Sequence, residues 1–282
     1  MANLFVIGNG FDIQHNVHYL NDDKEKITTN LVDFSKELQK NHPKIFSKIQ
    51  NEVKNAKVTW NNLERIKFRD ALTEEEYSQF YEQLKCWIKN LDRNISYKNF
   101  KNDCKKIEEY HRLKNGIFDD ETYFINFNYT RTIENLYGYE GTYQDNIIHL
   151  HGNSNQPILA YFGKLDFQKQ IRNQNKIDFR KPVDGLREYL GDWVQNKLKE
   201  ASFVNIYVYG FGFYRADSEY LRTILDCLCS KGKVIKVCDY QAKNIKNNEK
   251  GNLRDIITSI IKFYDNCSYK IEIVDFEENS LI

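Results

Sequence analysis

What this 282-residue chain has little of narrows its class first. It has three prolines (Pro43, Pro157 and Pro182) and no serine- or proline-rich run, so nothing in it reads as a disordered linker. Its six cysteines, Cys86, Cys104, Cys227, Cys229, Cys238 and Cys267, form no C-x-x-C pair. That speaks against a zinc ribbon or a disulfide framework and fits reduced thiols. No apolar run approaches the roughly 20 residues of a membrane helix. The first apolar run, Leu4 to Ile7, is too short for the core of a secretion signal and leads straight into a turn motif, so a cytoplasmic protein with no membrane partner is expected. Charge excess is also missing. The 41 basic and 40 acidic residues leave a net charge of +1, which gives no long-range field toward nucleic acid. Neither a G-x-S-x-G elbow nor a Walker A loop occurs, and no carboxylate cluster has metal-ligand spacing, so no metal is expected.

What is present is globular: 41% of the residues are hydrophobic and 29% charged, enough for one large domain or a core domain with an insertion. Residues 4–7, LFVI, form a continuous apolar run of the kind that suits a strand buried on both faces. Gly8-Asn9-Gly10-Phe11-Asp12 follows, and glycines there permit a tight turn or a close approach to a ligand phosphate or ribose. A dinucleotide fingerprint would need a third glycine where Ile13 stands. From residue 122 onward strands and helices alternate, the pattern of a doubly wound parallel sheet. Strands are expected at 122–127, 147–151, 203–209, 233–239 and 269–276, and helices at 184–198, 218–229 and 252–264. Asp217 is expected to cap the helix that follows it.

Residues 20–118 read as a helical insertion, with 1–19 and 119–282 forming the core. Leu31, Phe34 and Leu38 recur at helical spacing, and Thr73 with Glu76 forms a capping box. That box opens an amphipathic stripe of Tyr77, Phe80, Tyr81, Leu84, Trp87, Ile88 and Leu91. Phe100, Cys104, Ile107 and His111 continue the period. Trp60 and Glu64 stand at i and i+4, which would place both on one helix face.

The polar residues that end the apolar runs are the functional candidates, because ligands of open α/β sheets bind outside the carboxyl ends of the strands. Asn128 offers an amide donor and acceptor suited to a ribose hydroxyl or a water. His149 and His151 flank Leu150 and share one face if the strand runs through both; His151, next to Gly152, is expected to be the base. Gly210 and Gly212 end a later strand.

The segments LFVIGNGFD, TWNNLE, FNYTRTIENLY, IIHLHGN and YGFGFYRADSEYL together closely resemble the AbiH family of bacterial phage abortive-infection proteins, from residue 4 to about residue 225. More remotely, the chain is similar to sirtuins, which implies a Rossmann-like, sirtuin-like parallel sheet. The sirtuin resemblance carries Asn128 onto a ribose-binding asparagine, His151 onto the catalytic histidine, and Gly8, Asn9 and Gly10 onto the cofactor loop, with Asp12 expected beside them at the cofactor. Gly210 and Gly212 fall on the later dinucleotide loop, with Asp217 expected to bind the cofactor after it. The sirtuin zinc ribbon is missing and Thr130 stands where that family has an aspartate, which speaks against protein deacylation. What the resemblance implies is hydrolysis of NAD at its N-glycosidic bond during phage infection, with Asp12 and Glu64 as supporting carboxylates. A homo-oligomer and a phage trigger are the partners it leaves open. A nucleotide-binding sensor without turnover and a nucleic-acid-targeting effector are the alternatives.

Overall fold

A computed structural model describes residues 1–60, 63, 66, 71–100, 103–139, 141–158, 160–161, 180–181, 183–211, 215–228, 232–238 and 269–274. Glu64, Gly212 and the expected helix at 252–264 lie outside the described residues.

The chain starts with β1 (Ala2–Ile7) and runs directly into a short helix, α1 (Asn9–Gln14). A small hairpin, β2 (His18–Leu20) and β3 (Lys26–Thr28), leads to α2 (Leu31–Asn41), α3 (Pro43–Asn55), α4 (Glu74–Arg93) and α5 (Cys104–Arg112). Then come β4 (Thr122–Asn126), α6 (Thr132–Tyr137), β5 (Ile147–His149), and the two-residue strands β6 (Ala160–Tyr161) and β7 (Arg180–Lys181). α7 (Val183–Lys197), β8 (Phe203–Tyr209), α8 (Arg215–Cys227), β9 (Gly232–Cys238) and β10 (Tyr269–Val274) complete the order.

Six of these strands form one sheet in the order β10-β9-β8-β1-β4-β5, with every neighbouring pair parallel. Numbered by their appearance in the sheet, they run 6-5-4-1-2-3, the doubly wound Rossmann order. The chain leaves β1 in one direction through β4 and β5 and returns on the other side at β8, so the topological switch lies between β1 and β8.

Leu4 to Ile7 of β1 show why that run is apolar. Leu4 and Val6 enter one core, with Ile125, Phe127, Leu150 and the stripe Leu190, Val194 and Leu198 of α7. Phe5 and Ile7 enter the opposite core with Phe11, Phe124, Ile133 and Tyr209. A strand buried on both faces cannot alternate with polar residues. A third core, from Val17 to Leu91, belongs to the helices between β1 and β4 and includes Phe34, Leu38, Phe80, Leu84, Trp87 and Ile88. α4 opens with the expected capping box: the Glu76 amide donates to Thr73 Oγ1 at 3.2 Å and the Thr73 amide to Glu76 Oε2 at 2.9 Å.

Several local expectations are corrected. β5 stops at His149 instead of running through His151. Asp217 lies inside the first turn of α8, which begins at Arg215; an acid there favours the helix dipole but is not the cap. On α5, Tyr110 is buried, whereas His111 is exposed. Trp60 is buried and stacked on Phe46 at 5.6 Å. Among the described residues no helix is long and apolar enough to cross a membrane.

Candidate functional site

The register places one row of residues across the carboxyl edge of four strands. Tyr209 of β8 pairs with Ile7, Ile7 with Asn126, and Asn126 with His149. Parallel partners point to the same face, and here that is the face of α1 and α6. Two members of the row, Asn126 and His149, are polar, while Ile7 and Tyr209 beside them belong to the core on that face.

Asp12 on α1 is fully buried. Its Oδ1 accepts from the Thr132 hydroxyl at 2.7 Å and its Oδ2 accepts a short hydrogen bond from Thr130. Burial pushes the Asp12 carboxyl up to about 7, the Thr130, Thr132 and Asn128 bonds oppose the rise, and the nearby Asp92 charge adds to it. Asn126 organises the turn after β4: its Oδ1 accepts from the Asn128 amide at 2.8 Å and its Nδ2 donates to the Thr130 carbonyl at 3.1 Å. Asn128, also buried, donates Nδ2 to the Gly8 carbonyl at 3.0 Å and so ties the end of β4 to the end of β1.

Glu134 on α6 meets His149: Glu134 Oε1 lies 2.9 Å from His149 Nε2 and 3.3 Å from Arg131 Nε. Burial works to raise the Glu134 carboxyl, but the His149 bond and the His149 and Arg131 charges outweigh it and hold the group below its ordinary range. Glu134 Oε2 is buried and has no hydrogen-bond partner among the described residues. α4 reaches the same place from the insertion. Asp92 Oδ1 accepts from the Arg131 amide at 2.8 Å, and the Asp92 carbonyl accepts from Asn135 at 3.3 Å. Burial raises the Asp92 carboxyl, against the Arg131 amide and the Ser154 hydroxyl, and the Glu134 charge raises it further.

The glycines expected to approach a ligand approach each other. The Gly8 amide donates to the Tyr209 carbonyl at 3.0 Å and the Gly10 amide to the Gly210 carbonyl at 2.9 Å. A Cβ on Gly10 would lie 2.6 Å from Gly210 Cα, and Gly210 itself has φ +61. Asn9, at the start of α1, accepts a short hydrogen bond from the Thr29 hydroxyl, so the loop after β3 borders the β1 turn. His151 lies past the end of β5, with its ring 5.5 Å from Phe127 and 5.7 Å from Tyr129. Phe127 belongs to the core opposite the Asn126–His149 row, so the two histidines occupy different surroundings.

The structure therefore brings Asp12, Asn128 and Gly8 together and joins Gly10 to Gly210. The sequence reading missed Asn126, Thr132, Glu134 and Asp92. A signal existed for Asn126, a polar residue inside a doubly buried strand. Glu134 sits among Ile133, Leu136 and Tyr137, all buried, which marks it as inward-facing only once the helix is placed. Among the described residues no group of three or more His, Cys, Asp or Glu has metal-binding geometry.

A family model described as bacteriophage abortive infection AbiH matches residues 4–239. No curated protein gives a significant match. With five sixths of its length inside that match, the chain belongs to the AbiH family of bacteriophage abortive infection.

Proposed function

We propose that this AbiH chain is an abortive-infection effector that hydrolyses NAD, or a closely related nucleotide, at the N-glycosidic bond. The observation that carries the reading is the buried polar network of Asp12, Asn126, Asn128, Thr130, Thr132 and Glu134 at the carboxyl ends of β1 and β4 in a sheet of Rossmann order. Buried polar side chains are costly to hold, and the end of such a sheet is where nucleotides bind. Nicotinamide leaves as a neutral molecule, so the reaction needs no general acid. It needs stabilisation of a cationic ribosyl centre and an acceptor for the proton of the attacking water. The Glu134 carboxylate, held below its ordinary range by His149 and Arg131, suits the first need. His149, at the end of β5, and His151, in the turn after it, are the candidates for the second.

A sensor that binds a nucleotide without turnover is the second reading; the Gly8 and Gly10 amides, already donated to the Tyr209 and Gly210 carbonyls, make the first turn a closed backbone seam, which suits binding at the strand ends without a phosphate cradle there. The test is the NAD content of cells expressing the wild-type chain, beside Asn128→Ala and the double variant His149→Ala/His151→Ala. NAD is expected to fall with wild type alone. Growth arrest with NAD unchanged would overturn the reading in favour of another substrate.

A further inference from the structure

The two histidines at the end of β5 are not equivalent, and hydrogen-bond bookkeeping separates them. Asn126 Oδ1 accepts from the Asn128 amide, so the other branch of the Asn126 side chain, Nδ2, is the amino group; it donates to the Thr130 carbonyl at 3.1 Å and lies 3.4 Å from His149 Nδ1. An amino group offers only hydrogens, so Nδ1 faces it as an acceptor and carries no proton in the neutral ring. The proton then sits on Nε2, where it is donated to Glu134 Oε1 at 2.9 Å. Arg131 supports the same carboxylate oxygen. A carboxylate on one imidazole nitrogen with a lone pair on the other is the arrangement that makes a histidine an oriented base. The Asn126 contact on Nδ1, at 3.4 Å, is the longer of the two ring contacts, so Nδ1 is the nitrogen that meets the reacting water in the proposal below. The His149 side chain keeps 14% of its surface exposed, while Glu134 keeps 5%.

We propose that His149, fixed in its Nε2–H tautomer by Glu134, is the proton acceptor of this site, and that His151, packed against Phe127 and Tyr129, is not. The assignment rests on the N-glycosidic reading above. Water oxygen bonds to the ribosyl C1′, and the C1′–N bond breaks with its electron pair going to the nicotinamide nitrogen. His149 Nδ1 takes the proton that the water loses and later releases it to solvent. One NAD and one water thus give nicotinamide, ADP-ribose and a proton. His149 is the catalytic residue, since it touches the reacting water, and Glu134 is a positioning residue.

The test has two arms. Nitrogen-15 NMR of histidine-labelled full-length chain, with the His149 signal assigned by its loss in His149→Gln, reads the tautomer without any assay of turnover. The Nε2–H form is expected in the wild type and a mixture of tautomers in Glu134→Ala. An Nδ1–H form in the wild type would overturn the proposal. In the second arm, nicotinamide release is measured in extracts of arrested cells. His149→Ala is expected to lower it by about 100-fold or more while the far-ultraviolet circular dichroism stays that of wild type. Wild-type release in His149→Ala, or a loss confined to His151→Ala, would overturn the base assignment and leave the nucleotide reading standing. Absence of release from the wild type itself would overturn both.

Discussion

Gly10 and Gly210 meet backbone to backbone: the Gly10 amide donates to the Gly210 carbonyl at 2.9 Å, and a Cβ on Gly210 would lie 2.2 Å from the Phe11 nitrogen. The two loops that flank the switch between β1 and β8 therefore share one seam. Gly210→Ala combines this clash with a left-handed φ of +61 and is expected to cost at least about 2 kcal/mol. Urea unfolding of wild type and variant measures it. Gly138→Ala is the control for the backbone conformation alone, since Gly138 has φ +77 with open space around it, and a smaller loss is expected there.

Asn128→Ala removes the donor to the Gly8 carbonyl and one support of Asp12, and is expected to cost about 1–3 kcal/mol. Asn128→Asp is expected to cost more at neutral pH, because it sets a carboxylate against both the carbonyl and Asp12. Urea midpoints should rank wild type above Ala and Ala above Asp. The reverse order for the two variants would show that the amide donor is not what holds the turn.

Asp12 and His15 should give stability two opposite pH slopes. Burial pushes Asp12 from 3.8 up to about 7, so between those values the folded chain holds a proton that the unfolded chain has released. Stability then falls as pH rises, by about 1.4 kcal/mol per pH unit for one proton. Burial pushes His15 from 6.5 down to about 4, with its Nδ1–H donated to the Phe11 carbonyl at 2.7 Å and its Nε2 2.5 Å from the Tyr137 hydroxyl. There the unfolded chain holds the extra proton, and stability rises with pH across that range. The two terms offset each other at acid pH. Asp12→Asn should therefore gain stability relative to wild type as pH rises toward about 7, and His15→Gln should gain as pH falls. Urea unfolding from about pH 5 to about pH 8 reads both.

β1 was legible because burial on both faces leaves a continuous apolar run, LFVI, and β8 because most of VNIYVY reads the same way. The α4 helix was legible from its capping box and stripe. The hairpin of β2 and β3 was not, since three-residue strands are too short to show a period. The Asn126–His149 row was hidden because it depends on register between strands, and sequence parity along HLHGN carried His151 onto the wrong surroundings. The physical reason is that β5 ends at His149 and the chain turns at Gly152, which has φ +70. The contact of the first-turn glycines with Tyr209 and Gly210 was hidden because those residues lie some 200 positions further along the chain. Asp92 was hidden in the stripe of an insertion helix, where nothing local distinguishes an acid that docks on α6 from one in solvent.

The insertion between β1 and β4 also sets an order of assembly. β1 is made first but pairs only with strands that begin at Thr122 and Phe203. The core running from Val17 to Leu91 is local and precedes both of those strands. Such long-range pairing is slow, and domains growing from the ribosome settle their local parts first. The central strand therefore waits beside a finished helical module, and the seam between Gly10 and Gly210 closes only when the second half of the sheet arrives. A nascent chain that has passed Leu91 but not yet reached Gly210 holds the local core and only one side of the seam, so the edge of the site beside β8 is completed only after Gly210 is made.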